Sequence, residues 1–285
     1  MKPRLVCERA HAKINLALHI LGRRPDGYHE LDSIVAFADV ADVLTITPAD
    51  AVVLEISGPF AQDLQGIEEN TVLAAWRLLS GFSAQRNQPL SPVRFHLEKN
   101  LPIAAGIGGG SADAAAALRG LVRYFDLEVT AQELHAMALR LGADVPVCLV
   151  QQCRRMRGLG DIIETVAITL PPALVLVNPR VATPTSGVFG TLGLERGQSF
   201  ATAIEHLRDA GAWRNDLTSA AMKTVPEIAT VMGVLESHPA ITQTRMSGSG
   251  ATCFGVAETR GQADVTARHI AAQHPDWWVV AASLG

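Results

Sequence analysis

The sequence predicts a mixed α+β fold in two lobes, and three observations carry that expectation. The chain has 285 residues, 48% of them hydrophobic, enough to bury one large core or two modest ones. Short β-branched runs dominate its first third, whereas short strands alternate with helices from about Asp161 onward. Between these regions a glycine loop runs into an alanine-rich stretch of high helix propensity. A soft boundary near Gly160 separates an expected N-terminal domain, 1–160, from a C-terminal one, 161–285.

Taken in order, the runs 43–46 and 52–56 are joined by Pro48, Ala49 and Asp50, which predicts a hairpin. Asn70 opens a helical pattern of Val72, Leu73, Trp76 and Leu79, and residues 93–97 alternate as a strand. After the glycine loop and its helix, Thr130 and Glu133 form a capping box. The helix they start carries Leu134, Met137, Ala138 and Leu141 and stops at Gly142. Strands are expected at 174–177, 252–256 and 277–281, with helices at 201–210 and 227–236.

Composition excludes several function classes. The net charge of −4 is spread without a basic block, so the clustered cations that nucleic-acid affinity rests on are missing. No apolar run approaches a membrane span, and the first residues lack the apolar core of a signal peptide. Neither nucleic acid nor membrane is an expected partner, and the expected location is the cytoplasm. Cys7, Cys148, Cys153 and Cys253 lack metal-ligand spacing and read as buried free thiols in a reducing compartment. Monomer and weak homodimer both stay open.

The most unusual stretch is Leu101-Pro102-Ile103-Ala104-Ala105-Gly106-Ile107-Gly108-Gly109-Gly110-Ser111. Glycines let a backbone approach a ligand closely and adopt φ > 0, and N–H groups converging at a helix start favour negative charge. That combination predicts a phosphate cradle; the alternative is a tight or flexible turn. It is not a Walker A loop, because no Gly-Lys-Ser/Thr follows, nor a dinucleotide fingerprint, because Ser111 stands where the last glycine belongs. Ser111 also reads as an ordinary N-cap. A second cluster, Ser247-Gly248-Ser249-Gly250, is by itself no more than a tight turn.

Three separated segments coincide with one family. Ala12-Lys13-Ile14-Asn15-Leu16, the glycine loop with its helix, and Ser247 to Gly250 resemble the three motifs of the galactokinase, homoserine, mevalonate and phosphomevalonate (GHMP) kinase superfamily, in the same order and at similar spacing. Within it, Arg24-Pro25-Asp26-Gly27-Tyr28-His29-Glu30-Leu31 and Leu141-Gly142-Ala143-Asp144-Val145-Pro146 resemble the branch that phosphorylates a cytidine-diphosphate-linked sugar alcohol for isoprenoid precursor synthesis. The likeness extends over nearly the whole chain and includes Asn215-Asp216-Leu217. Gln151-Gln152-Cys153-Arg154-Arg155 departs from the small glycine-containing turn usual in that branch.

The resemblance implies an N-terminal lobe like domain 2 of ribosomal protein S5, a C-terminal ferredoxin-like α/β sandwich, and a cleft that holds both substrates. It implies ATP with Mg²⁺ as donor. Phosphoryl transfer asks for in-line positioning, positive charge against the developing oxyanion, and a base for the attacking hydroxyl. Asp144 is the implied base, although Asp before Val-Pro is equally a helix cap. Lys13, in an apolar strand pattern, is expected to pair with Asp144 near the acceptor oxygen; the alternative is an edge lysine reaching solvent. Asn15 shares its face of the strand and can bond acceptor hydroxyls, or be a satisfied buried amide.

For the cytidine end, His29 is implied to read the base and Tyr28 to stack on it or flank it. Phe189 matches a second aromatic wall and Thr185 a polar contact, while core packing is the plain alternative for Phe189. Ser247, Gly248, Ser249 and Gly250 join the acceptor side. Pro102, Ala104, Ala105, Gly106, Ile107, Gly108, Gly109, Gly110 and Ser111 are implied to hold ATP. Asn70 and Lys99 match positions around the adenine, though Asn70 is equally an N-cap and Lys99 a surface lysine. No aspartate stands out as a direct metal ligand; Asp113 reads as facing away, which leaves Mg²⁺ mainly to phosphate oxygens, Ser111 and water. A mevalonate- or homoserine-type kinase, or a fold that binds without catalysis, are the competing readings; the Gly27-Tyr28-His29 segment argues for a base-bearing acceptor, and Lys13 with Asp144 for catalysis.

Overall fold

The computed structural model describes residues 5–64 and 69–285. The N-terminal reading of residues 1–4 lies outside them. In chain order the strands are β1 (Val6–Arg23), β2 (His29–Pro48), β3 (Val53–Ser57), β4 (Val93–Glu98), β5 (Arg154–Gly158), β6 (Ile162–Thr165), β7 (Ala173–Asn178), β8 (Gln243–Met246), β9 (Cys253–Ala257) and β10 (Trp278–Ala282). The helices are α1 (Thr71–Gln85), α2 (Gly109–Phe125), α3 (Ala131–Leu141), α4 (Val145–Val150), α5 (Thr185–Leu192), α6 (Thr218–Thr224), α7 (Glu227–Ser237) and α8 (Arg260–Gln273). No described helix is long and apolar enough to cross a membrane.

The chain forms two compact units. The first takes the described residues of Met1–Ala12, Val40–Ile103 and Gly109–Val150, and the second takes Lys13–Asp39, Ala104–Gly108 and Gln151–Gly285. β1 and β2 are long enough to give residues to each.

In the first unit, β4 lies between β2 and β3, antiparallel to β2 (Leu44 opposite Leu97) and parallel to β3 (Leu54 opposite Phe95). The expected hairpin of 43–46 with 52–56 is therefore wrong. Val93, Phe95 and Leu97 of β4 are all fully buried, whereas Val53 of β3 is 37% exposed. The more apolar strand takes the inner position, and the half-buried one is left as the edge. α1 begins as expected: Asn70 Oδ1 accepts from Val72 N at 2.9 Å, and Trp76 meets Phe95 edge-on at 6.1 Å. α2 is buried nearly all round through Ala112, Ala114–Leu118 and Leu121, which suits alanine: small side chains let neighbours close in on every side. Its start at Gly109 puts Ser111 inside the first turn and corrects the reading of that serine as the N-cap. Thr130 and Glu133 make the reciprocal capping box at α3, and Gly142 ends the helix.

In the second unit, one sheet has the order β10-β7-β9-β8, and β2 pairs antiparallel with β5, which pairs with β6. Ala173, Val175 and Val177 of β7 pack in one core with Ile228, Val231 and Leu235 of α7 and Ala263, Ala267 and Ile270 of α8. Leu18 and Ile20 of β1 join that core. The expected helix at 201–210 does not form. Phe200 N and Ala201 N instead donate to Leu21 O and Ile20 O, and Ile204 N donates to the fully buried Asp32 Oδ2 at 2.8 Å. These long-range partners keep the first part of the segment out of a helix, against a local helix propensity worth only tenths of a kcal/mol per residue. Arg155 completes the arrangement with two bonds to Asp32, at 2.7 and 2.6 Å, and one to Ile204 O. The unusual 151–155 segment thus ends in a clamp on that loop. All four cysteines are free, but Cys7 is exposed and Cys153 half-buried, against the expectation of four buried thiols.

Candidate active site

In the second unit, three segments far apart in sequence meet at Gly106. Lys13 N donates to Ile107 O at 2.9 Å, Ser247 Oγ donates to Gly106 O at 2.9 Å, and Asn15 N donates to Ser247 Oγ at 3.0 Å. Thr252 N reaches Ala105 O and Thr183 N reaches Ala104 O, each at 3.1 Å. Gly106 has φ +73°, and a Cβ there would sit 2.7 Å from Gly250 O, so only glycine fits. Gly108, at φ +65°, packs on the Lys13 side chain, whose Cβ and Cε would each lie 3.3 Å from an added methyl. Lys13 is therefore a buried cation laid along the glycine loop, which removes the solvent-reaching alternative. Ser247 to Gly250, weak as a motif alone, forms the seat of that loop. Asn215 pins the seat, donating to Met246 O and Gly248 O at 2.8 Å each.

Asn15 is held by its amide nitrogen, which donates to Ser33 Oγ at 2.8 Å, and its Oδ1 is buried with no hydrogen-bond partner among the described residues. An acceptor left bare in this way is costly unless a ligand donor meets it. His29 lies 4.6 Å from the Phe189 ring at a 33° tilt, so two of the three predicted aromatic groups come together. Its Nε2 is buried and without a partner among the described residues. Burial first, and then the neighbouring Arg23 cation, hold the His29 pKa below the ordinary histidine value. Tyr28 is 65% exposed on the turn closed by Gly27 N to Arg24 O. Thr185, one helical turn before Phe189 on α5, shares a 2.9 Å hydrogen bond with Ser249 Oγ.

In the first unit, Gly109, Gly110 and Ser111 form the first turn of α2, and Thr71 Oγ1 donates to Gly110 O at 3.0 Å. Lys99 is not the surface lysine that was the alternative reading. It is buried and donates to both Asp42 Oδ2 and Asp113 Oδ2, the latter at 2.7 Å. Asp113 likewise does not face away. Burial pushes its carboxyl up, to about 7, against the pull of the Lys99 cation and with a further push from Asp42. Asp42 had passed unnoticed, although an aspartate between Ala41 and Val43 in an apolar strand is itself a signal of a buried partner. Asp144 is half-buried directly ahead of α4, whose first turn contains Pro146.

Two chemistries find no support among the described residues. No three acidic, histidine or cysteine side chains group as a protein-held metal centre would need. Burial pushes the Cys253 thiol up to about 12 and Cys153 up to about 11, so neither supplies a thiolate nucleophile near neutrality.

Comparison with known proteins converges on one family. The model described as the GHMP kinases N terminal domain matches residues 70–152, and that described as GHMP kinases C terminal matches 199–276. A 4-diphosphocytidyl-2-C-methyl-D-erythritol kinase of Rhizobium etli is 46% identical over 282 residues, covering 97% of this chain and 94% of that protein. Its counterpart from Cereibacter sphaeroides is 45% identical, covering 96% and 98%. A crystal structure of 4-(cytidine 5'-diphospho)-2C-methyl-D-erythritol kinase superposes with a TM-score of 0.78 at 33% identity, covering 98% of this chain and all of that one. Homoserine kinase from Cytophaga hutchinsonii, at 15% identity and TM-score 0.71 over 98% and 95% of the two chains, shares the fold.

Proposed function

The chain belongs to the GHMP kinases, in the family of 4-diphosphocytidyl-2-C-methyl-D-erythritol kinases, and from that premise we propose that it transfers the γ-phosphate of ATP to the 2-hydroxyl of 4-diphosphocytidyl-2-C-methyl-D-erythritol. The products are the 2-phosphate and ADP, in the non-mevalonate route to isoprenoid precursors, and the expected compartment is the cytoplasm. The observation that carries the kinase reading is the interlock at Gly106, where the Lys13 strand, the glycine loop and the 247–250 turn hold one another. The His29–Phe189 pair supports a base-bearing acceptor over mevalonate or homoserine.

In this reading Asp144 takes the proton from the attacking hydroxyl, and Lys13 meets the negative charge that develops on that oxygen. Asn15 accepts from an acceptor hydroxyl through its bare Oδ1. His29 offers its buried Nε2 to the cytosine edge, with Phe189 and Tyr28 on the ring and Thr185 and the 247–250 turn alongside. Pro102 and Ala104 to Ser111 cradle the donor phosphates, with Asn70 and Lys99 on the nucleotide side. By function, residues 1–160 form the ATP-binding N-terminal domain, which also carries Lys13, Asn15, Tyr28 and His29 for the acceptor, and 161–285 form the C-terminal domain. Mg²⁺, when bound, would be held mainly by the ATP phosphates, Ser111 and water, and would screen phosphate charge.

The test is ADP release by the purified protein with 4-diphosphocytidyl-2-C-methyl-D-erythritol, mevalonate and homoserine in turn, with Mg²⁺ present and then chelated. Release with the cytidine acceptor alone, lost on chelation, is the expected result. Equal release with either of the others would reassign the acceptor.

A further inference from the structure

The glycine loop is gripped at its two ends by one buried cluster. At its leading end Asp42 Oδ1 accepts from Asn100 N at 2.6 Å and from Leu101 N at 2.8 Å, fixing the backbone that enters Pro102. The other oxygen of Asp42 holds the Lys99 ammonium. That same ammonium reaches across to Asp113 Oδ2 at 2.7 Å, in α2, the helix into which the loop runs. It lies so close to the helix start that a methyl added at Gly109 would sit 3.4 Å from Lys99 Nζ. Lys99 is itself anchored through its backbone, its N donating to Ser57 O at 2.7 Å and its O accepting from Phe60 N at 3.2 Å.

All three side chains are 4% exposed or less. Burying two carboxylates and an ammonium is expensive and commonly adds little to stability compared with an apolar replacement. What such a cluster supplies is geometry: one cation with two fixed partners leaves the strand end and the helix start a single spacing. The seven residues from Pro102 to Gly108 are strung between those two points. Their backbone N–H groups can serve a triphosphate only if that spacing is held before the ligand arrives.

We propose that Lys99, Asp42 and Asp113 are positioning residues that brace both ends of the glycine loop, so that Lys99 acts on the donor's phosphates through the loop and not by touching the nucleotide. The inference rests on the reading of that loop as the phosphate cradle, and it changes the part given to Lys99 from contact to support. Asp113 is the tie that can be cut cleanly. Asp113→Ala leaves the Lys99–Asp42 pair matched in charge, and it places alanine in a helix that already carries alanine at residues 112 and 114–117. Asp113→Asn returns an oxygen acceptor to the same place.

The experiment measures binding of adenosine, ADP and a non-hydrolysable ATP analogue by calorimetry, with KM for each substrate alongside. For Asp113→Ala, analogue affinity should fall roughly tenfold, within the usual span of coupling through a structure. Adenosine affinity and the acceptor KM should stay at the wild-type value, and Asp113→Asn should recover most of the loss. An equal loss for adenosine would mean that the cluster touches the base, and an unchanged analogue affinity would mean that the brace is inert; either overturns the proposal. Should Asp113→Ala fail to fold, Asp113→Ser, whose shorter side chain falls out of reach of Lys99, takes its place, with the same expected loss of analogue affinity and the same overturning results. Wild-type protein indifferent to ATP would instead remove the kinase reading beneath it.

Discussion

Asp144 stands half-buried at the head of the six-residue helix α4, and in the proposed reading it is the base for the attacking hydroxyl. In that role its carboxylate has to be aligned with the attacking hydroxyl. Asp144→Asn should therefore lower turnover by about 10²- to 10⁴-fold with ATP-analogue affinity preserved, as read by steady-state kinetics beside calorimetry. Lys13→Met should lose turnover similarly, and near-normal rates in either variant would strip that residue of its role. His29 gives a prediction in pH. Its pKa lies below the ordinary value of 6.5, so the folded protein keeps the ring neutral where the unfolded chain would take up a proton. Stability from this group is thus present above the ordinary pKa and lost as pH falls. The acceptor KM should rise as pH falls with a midpoint below 6.5, and His29→Ala should raise that KM while sparing ATP. A midpoint at or above 6.5 would show His29 to be freely solvated.

Elements were legible where their signals are local. Asn70, Thr130 with Glu133, and Gly142 each did the capping that their chemistry suggests, and alanine after glycine made α2 unmistakable. The failures share one cause, a partner distant in sequence. Nothing near residues 43–56 says that residues 93–98 will lie between the two runs, and nothing in 201–210 says that Asp32 and Ile20 will claim its N–H groups. The site divides the same way. Lys13 and the glycine loop carry their own signatures, whereas the partners of Lys99 become visible only when β2 and α2 are folded. β4 is the element on which this arrangement turns. Phe95, fully buried and met edge-on by Trp76, should cost about 3–5 kcal/mol when cut to alanine, measured by denaturant unfolding. A loss below about 1 kcal/mol would mean that the strand repacks and does not set the position of α1.

At the scale of the whole molecule, the fold is common to kinases with very different acceptors, as the likeness to homoserine kinase at 15% identity makes plain. Fold alone therefore does not fix the reaction; membership of the kinase family carries phosphoryl transfer, and the choice of acceptor is left to a few side chains. In the proposed reading those are the His29–Phe189 pair for the base and the bare Oδ1 of Asn15 for a hydroxyl. They are supplied by β1, β2 and α5, while the glycine loop that would hold the donor hangs from the Lys99 cluster at one end of its neighbouring helix. In the proposed reading, recognition of the acceptor's base and hydroxyl and the bracing of the donor's loop fall to separate groups of side chains, so that each can be weakened alone.

The most direct measurement is to follow the γ-phosphate itself. With ATP labelled at that position and 4-diphosphocytidyl-2-C-methyl-D-erythritol as acceptor, phosphorus NMR should show a new monoester signal coupled to the erythritol carbon framework at the 2-position, in step with ADP. Label appearing only as inorganic phosphate, or on a different hydroxyl, would contradict the proposed reaction.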